Sequence, residues 1–159
     1  MKKLIYLLVI TIIFAACASK KDYIVTGSIE GGVEGGIVYL SFVEKGSFVN
    51  IDSSVIKNGV FTFKGRQDTV VNCYVRSKEK VGNTNRKLYG DFFLENGEIN
   101  IILTTKGSTV SGTPNNDAYQ AIRNEMYELQ KNLASVPKEE QMKEFDKIFT
   151  GVMKNAATR

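Results

Sequence analysis

The sequence predicts a mainly β fold, an antiparallel sandwich or open barrel of about seven or eight short strands followed by a C-terminal helical hairpin. Two observations carry that expectation. From Tyr23 to Ser111 apolar residues alternate in short runs broken by glycine-containing turn signals, as half-buried strands do. After Ser111 the apolar period lengthens to three and four residues, which is helical.

The strands are expected at Tyr23–Ile29, Ile37–Phe42, Ser53–Ile56, Val60–Lys64, Asn72–Arg76, Leu88–Leu94, Glu98–Thr104 and a short Thr109–Ser111. Gly31-Gly32 with Gly35-Gly36 reads as a hairpin turn after the first strand. Asn58-Gly59 and Asn96-Gly97 read as two further hairpins, because both residue types tolerate the positive φ of a type I′ turn. Val71, Cys73 and Val75 share one strand face, so Cys73 reads as a small buried hydrophobe. Arg76 to Lys87 holds five cations against one acid and reads as a hairpin loop.

The first helix follows Ser111-Gly112-Thr113-Pro114, with Tyr119, Ile122, Met126, Leu129 and Leu133 as its apolar stripe. Thr113 with Pro114, or Asn116, is suited to cap its start. A second helix is expected from about Pro137 to Asn155, with Ser135 as cap and Glu139 and Glu140 in its first turn. Its stripe is Met142, Phe145, Phe149 (or Ile148) and Val152.

Ahead of the strands stands a leader: Lys2 and Lys3, an apolar run from Leu4 to Phe14, Ala15-Ala16, and then Cys17. Charge, apolar stretch and small residues in that order are the layout of a secretory signal. A cysteine directly after the small pair makes it resemble a bacterial lipoprotein signal, whose thiol is acylated and becomes the mature N-terminus. Two other readings stay open, a cleaved signal without lipid and an anchor or core helix, although a span needs roughly 20 apolar residues. The expected organisation is a signal at 1–16, a tether at 17–22, a β-sandwich at 23–112 and a helical hairpin at 113–159.

Without residues 1–16 the chain has 143 residues (159 − 16), and its net charge falls from +4 to +2 as Lys2 and Lys3 leave. So small a charge argues against nucleic acid, whose binders carry clustered basic faces. The chain has no histidine, which removes Ser/His/Asp and Cys/His systems and any imidazole metal site. With Cys17 acylated, Cys73 has no intramolecular partner, and no metal, cofactor or disulfide framework is expected. The glycines at 31–36 are not followed by the Gly-Lys-Ser/Thr and helix that a phosphate cradle needs. Asp91, Glu95 and Glu98 cluster in sequence around one expected hairpin, where paired carboxylates could act on a glycan or simply sit on a solvated edge. Lys78, Lys80, Arg86 and Lys87 are the candidates for contact with an anionic surface, either lipid headgroups or an acidic glycan.

Five segments follow one another in order: Tyr23-Ile-Val-Thr-Gly27-Ser-Ile, Gly36-Ile-Val-Tyr-Leu, Asn58-Gly-Val-Phe-Thr-Phe-Lys-Gly65, Phe93-Leu-Glu-Asn-Gly-Glu-Ile and Ser111-Gly-Thr-Pro-Asn-Asn-Asp-Ala-Tyr119. Together they resemble the domain of unknown function 4369, found at the N-terminus of Bacteroides-type envelope lipoproteins. The resemblance implies a frequent neighbour, a thioredoxin-like domain of the thiol–disulfide oxidoreductase class. Such a domain would need about another 130 residues and a Cys-x-x-Cys at a helix N-terminus, and this sequence contains no such motif. No catalytic role is therefore carried over to any residue.

The function expected is that of a lipid-anchored cell-envelope protein, a non-enzymatic module that binds or positions a protein or glycan. The alternative is the N-terminal accessory domain of a thiol–disulfide oxidoreductase. Membrane attachment is expected through Cys17, on the periplasmic side rather than the cell surface, because Ala18-Ser19-Lys20-Lys21 is not an acidic run.

Overall fold

Among the described residues eight strands and two helices form, close to the expected positions except that the third strand begins at Ser47 rather than Ser53. The computed structural model describes residues 22–80 and 87–157. The strands are β1 (Tyr23–Ile29), β2 (Ile37–Glu44), β3 (Ser47–Val55), β4 (Val60–Gly65), β5 (Val71–Ser77), β6 (Tyr89–Leu94), β7 (Gly97–Thr104) and β8 (Gly107–Ser111). The helices are α1 (Pro114–Leu133) and α2 (Lys138–Ala157). Residues 1–21, with the leader and Cys17, and residues 81–86, with Arg86, lie outside the described residues.

The strands make two four-stranded sheets, ordered β4-β1-β7-β8 and β3-β2-β5-β6. Period-two alternation puts Val25, Phe61, Phe63, Ile99, Ile101, Leu103 and Val110 of the first sheet in the core. Val38, Leu40, Cys73, Val75, Phe92 and Leu94 come from the second. Burying a side chain of this size contributes about 1.5–3 kcal/mol, so the two inner faces hold the sandwich together. The pairing is antiparallel with one exception, β1 against β7 from Tyr23↔Gly97 to Ile29↔Leu103, which is parallel.

Three turn readings need correction. Gly31 to Gly36 does not close a hairpin. It makes two successive tight turns, with Gly32 N–H on the Ile29 carbonyl at 2.9 Å and Gly36 N–H on the Val33 carbonyl at 2.9 Å. These carry the chain from β1 in one sheet to β2 in the other. Asn58-Gly59 has the expected positive φ values, 52° and 76°, and Lys57 and Val60 exchange both backbone hydrogen bonds. The strands it joins nevertheless diverge at once into opposite sheets, so it is a corner between layers. Asn96-Gly97 makes no type I′ turn, because positive φ occurs at Gly97 and not at Asn96. The Asn96 side chain instead accepts from Gln67 N–H at 2.9 Å, tying the β4–β5 loop to the β6–β7 crossing. Lys45-Gly46 does close a hairpin within one sheet, with φ of 50° and 78° between β2 and β3. The expected hairpin after Arg76 is present as β5–β6, paired from Val71↔Leu94 to Arg76↔Tyr89.

One helix cap falls where expected and one does not. Thr113 is the N-cap of α1 with Pro114 just inside, and Asn116 is committed elsewhere. Ser135 does not cap α2, because its hydroxyl donates to the Asn132 carbonyl at 2.6 Å and so closes the end of α1. The Pro137 carbonyl accepts the first amides of α2 from Glu140 and Gln141. Helix α2 packs on α1 and leaves Met142, Phe149 and Met153 exposed.

Candidate functional site

The site is built by the way α1 seats on the sandwich. A sheet ends in unpaired N–H and C=O groups that something must satisfy. At β6 the partner is Asn116, which is fully buried. Its Oδ1 accepts from Phe93 N–H at 2.8 Å and its Nδ2 donates to the Phe93 carbonyl at 2.8 Å, so one side-chain amide imitates a neighbouring strand. The same Nδ2 reaches Thr113 Oγ1 at 2.7 Å. At β8 the partner is Gln120, whose Oε1 accepts from Val110 N–H at 2.9 Å. Glu95 supplies the charge that suits a helix N-terminus, accepting from the Asn115 backbone and side chain at 3.2 and 2.7 Å.

One turn further along, Tyr119 packs edge-on against Phe93 with ring centroids 5.3 Å apart, and its hydroxyl donates to Asp91. Burial first, and then that hydrogen bond, push the Tyr119 phenol up to about 12, so it stays a donor at any ordinary pH. Arg123 lies 3.9 Å from Asp91, donates to Ser108 Oγ at 3.3 Å and stands over the Tyr119 ring. A half-open groove of about 480 Å³ opens beside these residues, between β6, the β7–β8 turn and α1. Lys87, Tyr89, Asp91, Lys106, Ser108 and Arg123 are among its lining.

The turn that carries Lys106 is fixed from behind. Glu30 accepts from the Thr105 backbone at 2.8 Å and its hydroxyl at 3.1 Å. These hydrogen bonds, the backbone one foremost, hold the Glu30 carboxyl below the usual carboxylate range. Thr104 Oγ1 donates to the Gly107 carbonyl at 2.9 Å, closing the turn on itself.

Of the residues singled out for an anionic contact, Lys87 lines the groove, whereas Lys78 and Lys80 are exposed after β5 and do not. Arg86, like Cys17, lies outside the described residues. Arg76, from the same basic segment, is spent on the outer face of its sheet, over the Phe48 ring at 4.1 Å and donating to Asn50 at 2.8 Å. The three carboxylates do not meet across a hairpin, since β6 and β7 belong to opposite sheets. Asp91 turns toward Tyr119 and Arg123, Glu95 serves the start of α1, and Glu98 is exposed on β7. Among the described residues no cluster of three metal-ligating acids, cysteines or histidines occurs.

Lys106, Arg123 and Tyr89 were not legible as site residues in the sequence, and Asn116 was legible only as an alternative helix cap. Apart from Tyr119, the α1 residues that bond to the sandwich are polar, and an apolar-periodicity search passes over them. The one available signal was the polar run Thr-Pro-Asn-Asn-Asp, whose second asparagine is Asn116.

Residues 23–119 match the family described as Domain of unknown function (DUF4369). The chain belongs to this family. The DUF4369 match runs through all eight strands and ends at Tyr119, so it takes in the part of α1 that holds Asn116 and the residue bonded to Asp91. No curated protein matches the chain. Among solved structures, the crystal structure of (S)-allantoin synthase is similar at a TM-score of 0.40 and 9% identity, covering 65% of this chain and 48% of that one. The DUF4369 chain thus spans about half the length of that protein, and no activity is transferred from it.

Cys73 is buried in the core of the DUF4369 sandwich. Burial pushes its thiol up to about 11 from an ordinary 9.0. A raised pKa favours the neutral thiol in the fold, so the stability it gives is complete below pH 9.0 and is lost as pH climbs toward 11. The native protein should therefore resist alkylation by iodoacetamide at Cys73 at neutral pH and react fully once unfolded in guanidinium. Equal labelling rates in the two states would place the thiol at the surface.

Proposed function

We propose that this protein is a lipid-anchored module of the bacterial cell envelope that binds a ligand at the membrane surface without transforming it. The observation that carries the reading is the ordered leader, Lys2-Lys3, Leu4 to Phe14, Ala15-Ala16 and Cys17. An acylated Cys17 would hold the sandwich at a bilayer through its chains, each buried methylene adding about 0.8 kcal/mol. The binding role is supported by the groove beside α1. The absence of a catalytic role is supported by the tasks of the carboxylates, Asp91 tied to Tyr119 and Arg123 and Glu95 to the start of α1.

A second reading, the positioning half of a thiol–disulfide oxidoreductase, is favoured by the exposed Met142, Phe149 and Met153 on α2, which offer an apolar surface to a following domain. A Cys-x-x-Cys encoded within the next ~100 codons, in a strand–helix setting, would support it.

The anchor is tested by replacing Cys17 with Ser and fractionating cells. The wild-type protein should partition into membranes and into the detergent phase of Triton X-114, and C17S should not. Membrane retention of C17S equal to wild type would reject acylation at this sulfur.

A further inference from the structure

We infer that the groove between β6, the β7–β8 turn and α1 is a site for an acidic saccharide, one whose rings carry uronate carboxylates. The inference rests on the binding-module reading and names its ligand class. A second, shallower depression of about 250 Å³ adjoins the first, and the two share Thr104, Lys106, Gly107, Ser108 and Arg123. Tyr89 lines only the first and Tyr127 only the second, so an exposed tyrosine stands toward each end of one continuous trough. The two residues are 64% and 66% exposed, so their ring faces are open to a ligand. Flat rings at both ends suit the apolar faces of sugar rings, with the hydroxyl at each ring's tip left to water or ligand.

Between the tyrosines the lining is mixed in the way a polyhydroxylated, singly charged ring requires. Lys87 and Lys106 are exposed cations on the rim, and among the described residues neither forms an ion pair. Arg123 is a third cation, already held in place by Ser108, Asp91 and Tyr119. Asp91 gives one carboxylate oxygen to the Tyr119 hydroxyl, while the other faces Arg123 at 3.9 Å and keeps lone-pair capacity for a sugar hydroxyl. Gln120 and Asn124, linked at 2.8 Å, add planar amides at the second depression. A carboxylate within a polyphosphate track would repel the ligand, whereas beside a sugar it orients hydroxyl donors. That contrast favours a uronate over nucleic acid or a phosphate-rich headgroup. The turn bearing Lys106 is already ordered by Glu30 and Thr104, so binding costs little further loss of freedom.

The test is calorimetry on the full-length protein in detergent micelles, with trigalacturonate as probe. Its methyl ester, inorganic phosphate and oligo-dT serve as comparisons. Binding in micelles does not depend on the anchor, so loss of this site and loss of membrane attachment are told apart. Trigalacturonate should bind, the uncharged ester about tenfold more weakly, and the double variant K87Q/K106Q should lose about tenfold in affinity. Y89A and Y127A should each weaken binding, while all four positions leave the melting temperature unchanged because their side chains are exposed. No binding of trigalacturonate would overturn the inference. Equal binding of acid and ester, tighter binding of phosphate or oligo-dT, or wild-type affinity in K87Q/K106Q would do so as well.

Discussion

Replacing Asn116 with Ala should lower the unfolding free energy by about 3 kcal/mol, because it strands the N–H and C=O of Phe93 and removes the partner of Thr113. The melting temperature should fall by roughly 10 °C. N116D should be no better, since a carboxylate has two acceptors and no donor for the Phe93 carbonyl. Far-UV circular dichroism should still show strands, while protection of the Phe93 amide from hydrogen exchange is lost. Denaturant titration checks the energy. A change below 1 kcal/mol would mean that α1 is held by something other than this amide.

The second large effect is expected at Gly27, in the middle of β1 between β4 and β7. A Cβ there would lie 2.6 Å from the Ile101 carbonyl oxygen and against the Phe61 ring, which crosses the strand at this point. Backbone cannot step aside as a side-chain tip can, so G27A should cost about 3 kcal/mol or more and broaden the core resonances of Phe61. Gly35 is the control. Its φ is +78° but nothing lies within 4 Å of a Cβ, so G35A carries only the conformational cost, about 1 kcal/mol. Chemical denaturation of the two variants should rank them in that order, and the reverse ranking would contradict the close approach of β1 to its neighbours.

These two residues also mark what was legible in the sequence. Strand existence came from alternation alone: β1 falls on Tyr23–Ile29 as expected, and β4 to β7 lie within a residue or so of their expected bounds. Turn chemistry was legible at Asn58-Gly59, where positive φ is a local property. Which strands a turn joins is not local. Gly31–Gly36, Asn58-Gly59 and Asn96-Gly97 all cross between sheets, because the core between the layers, not the turn, decides where the next strand pairs. Edge strand β3 was underestimated, running from Ser47 rather than Ser53. Its exposed side chains follow no inward and outward rhythm, and Ile51 is an extra residue at the β2–β3 bulge.

The site was harder to read for the same reason. Lys87 was singled out from a charge run, but Lys106 and Arg123 stand in unremarkable local sequence, and they meet it through the packing of β8 beside β6 and the seating of α1. That seating depends on Tyr119, which the apolar stripe includes, and on Asn116 and Gln120, polar groups that a search for such a stripe discounts. Asp91, Glu95 and Glu98 drew attention by proximity in sequence, and the two-layer topology sends them to separate tasks.

The protein's address remains the claim on which its role depends, and one mass decides it. Intact-mass spectrometry of the protein extracted from membranes should give the polypeptide beginning at Cys17, with a diacylglyceryl group on sulfur and residues 1–16 gone. Recovery of the unmodified chain from the soluble fraction, still beginning at Met1, would contradict the account.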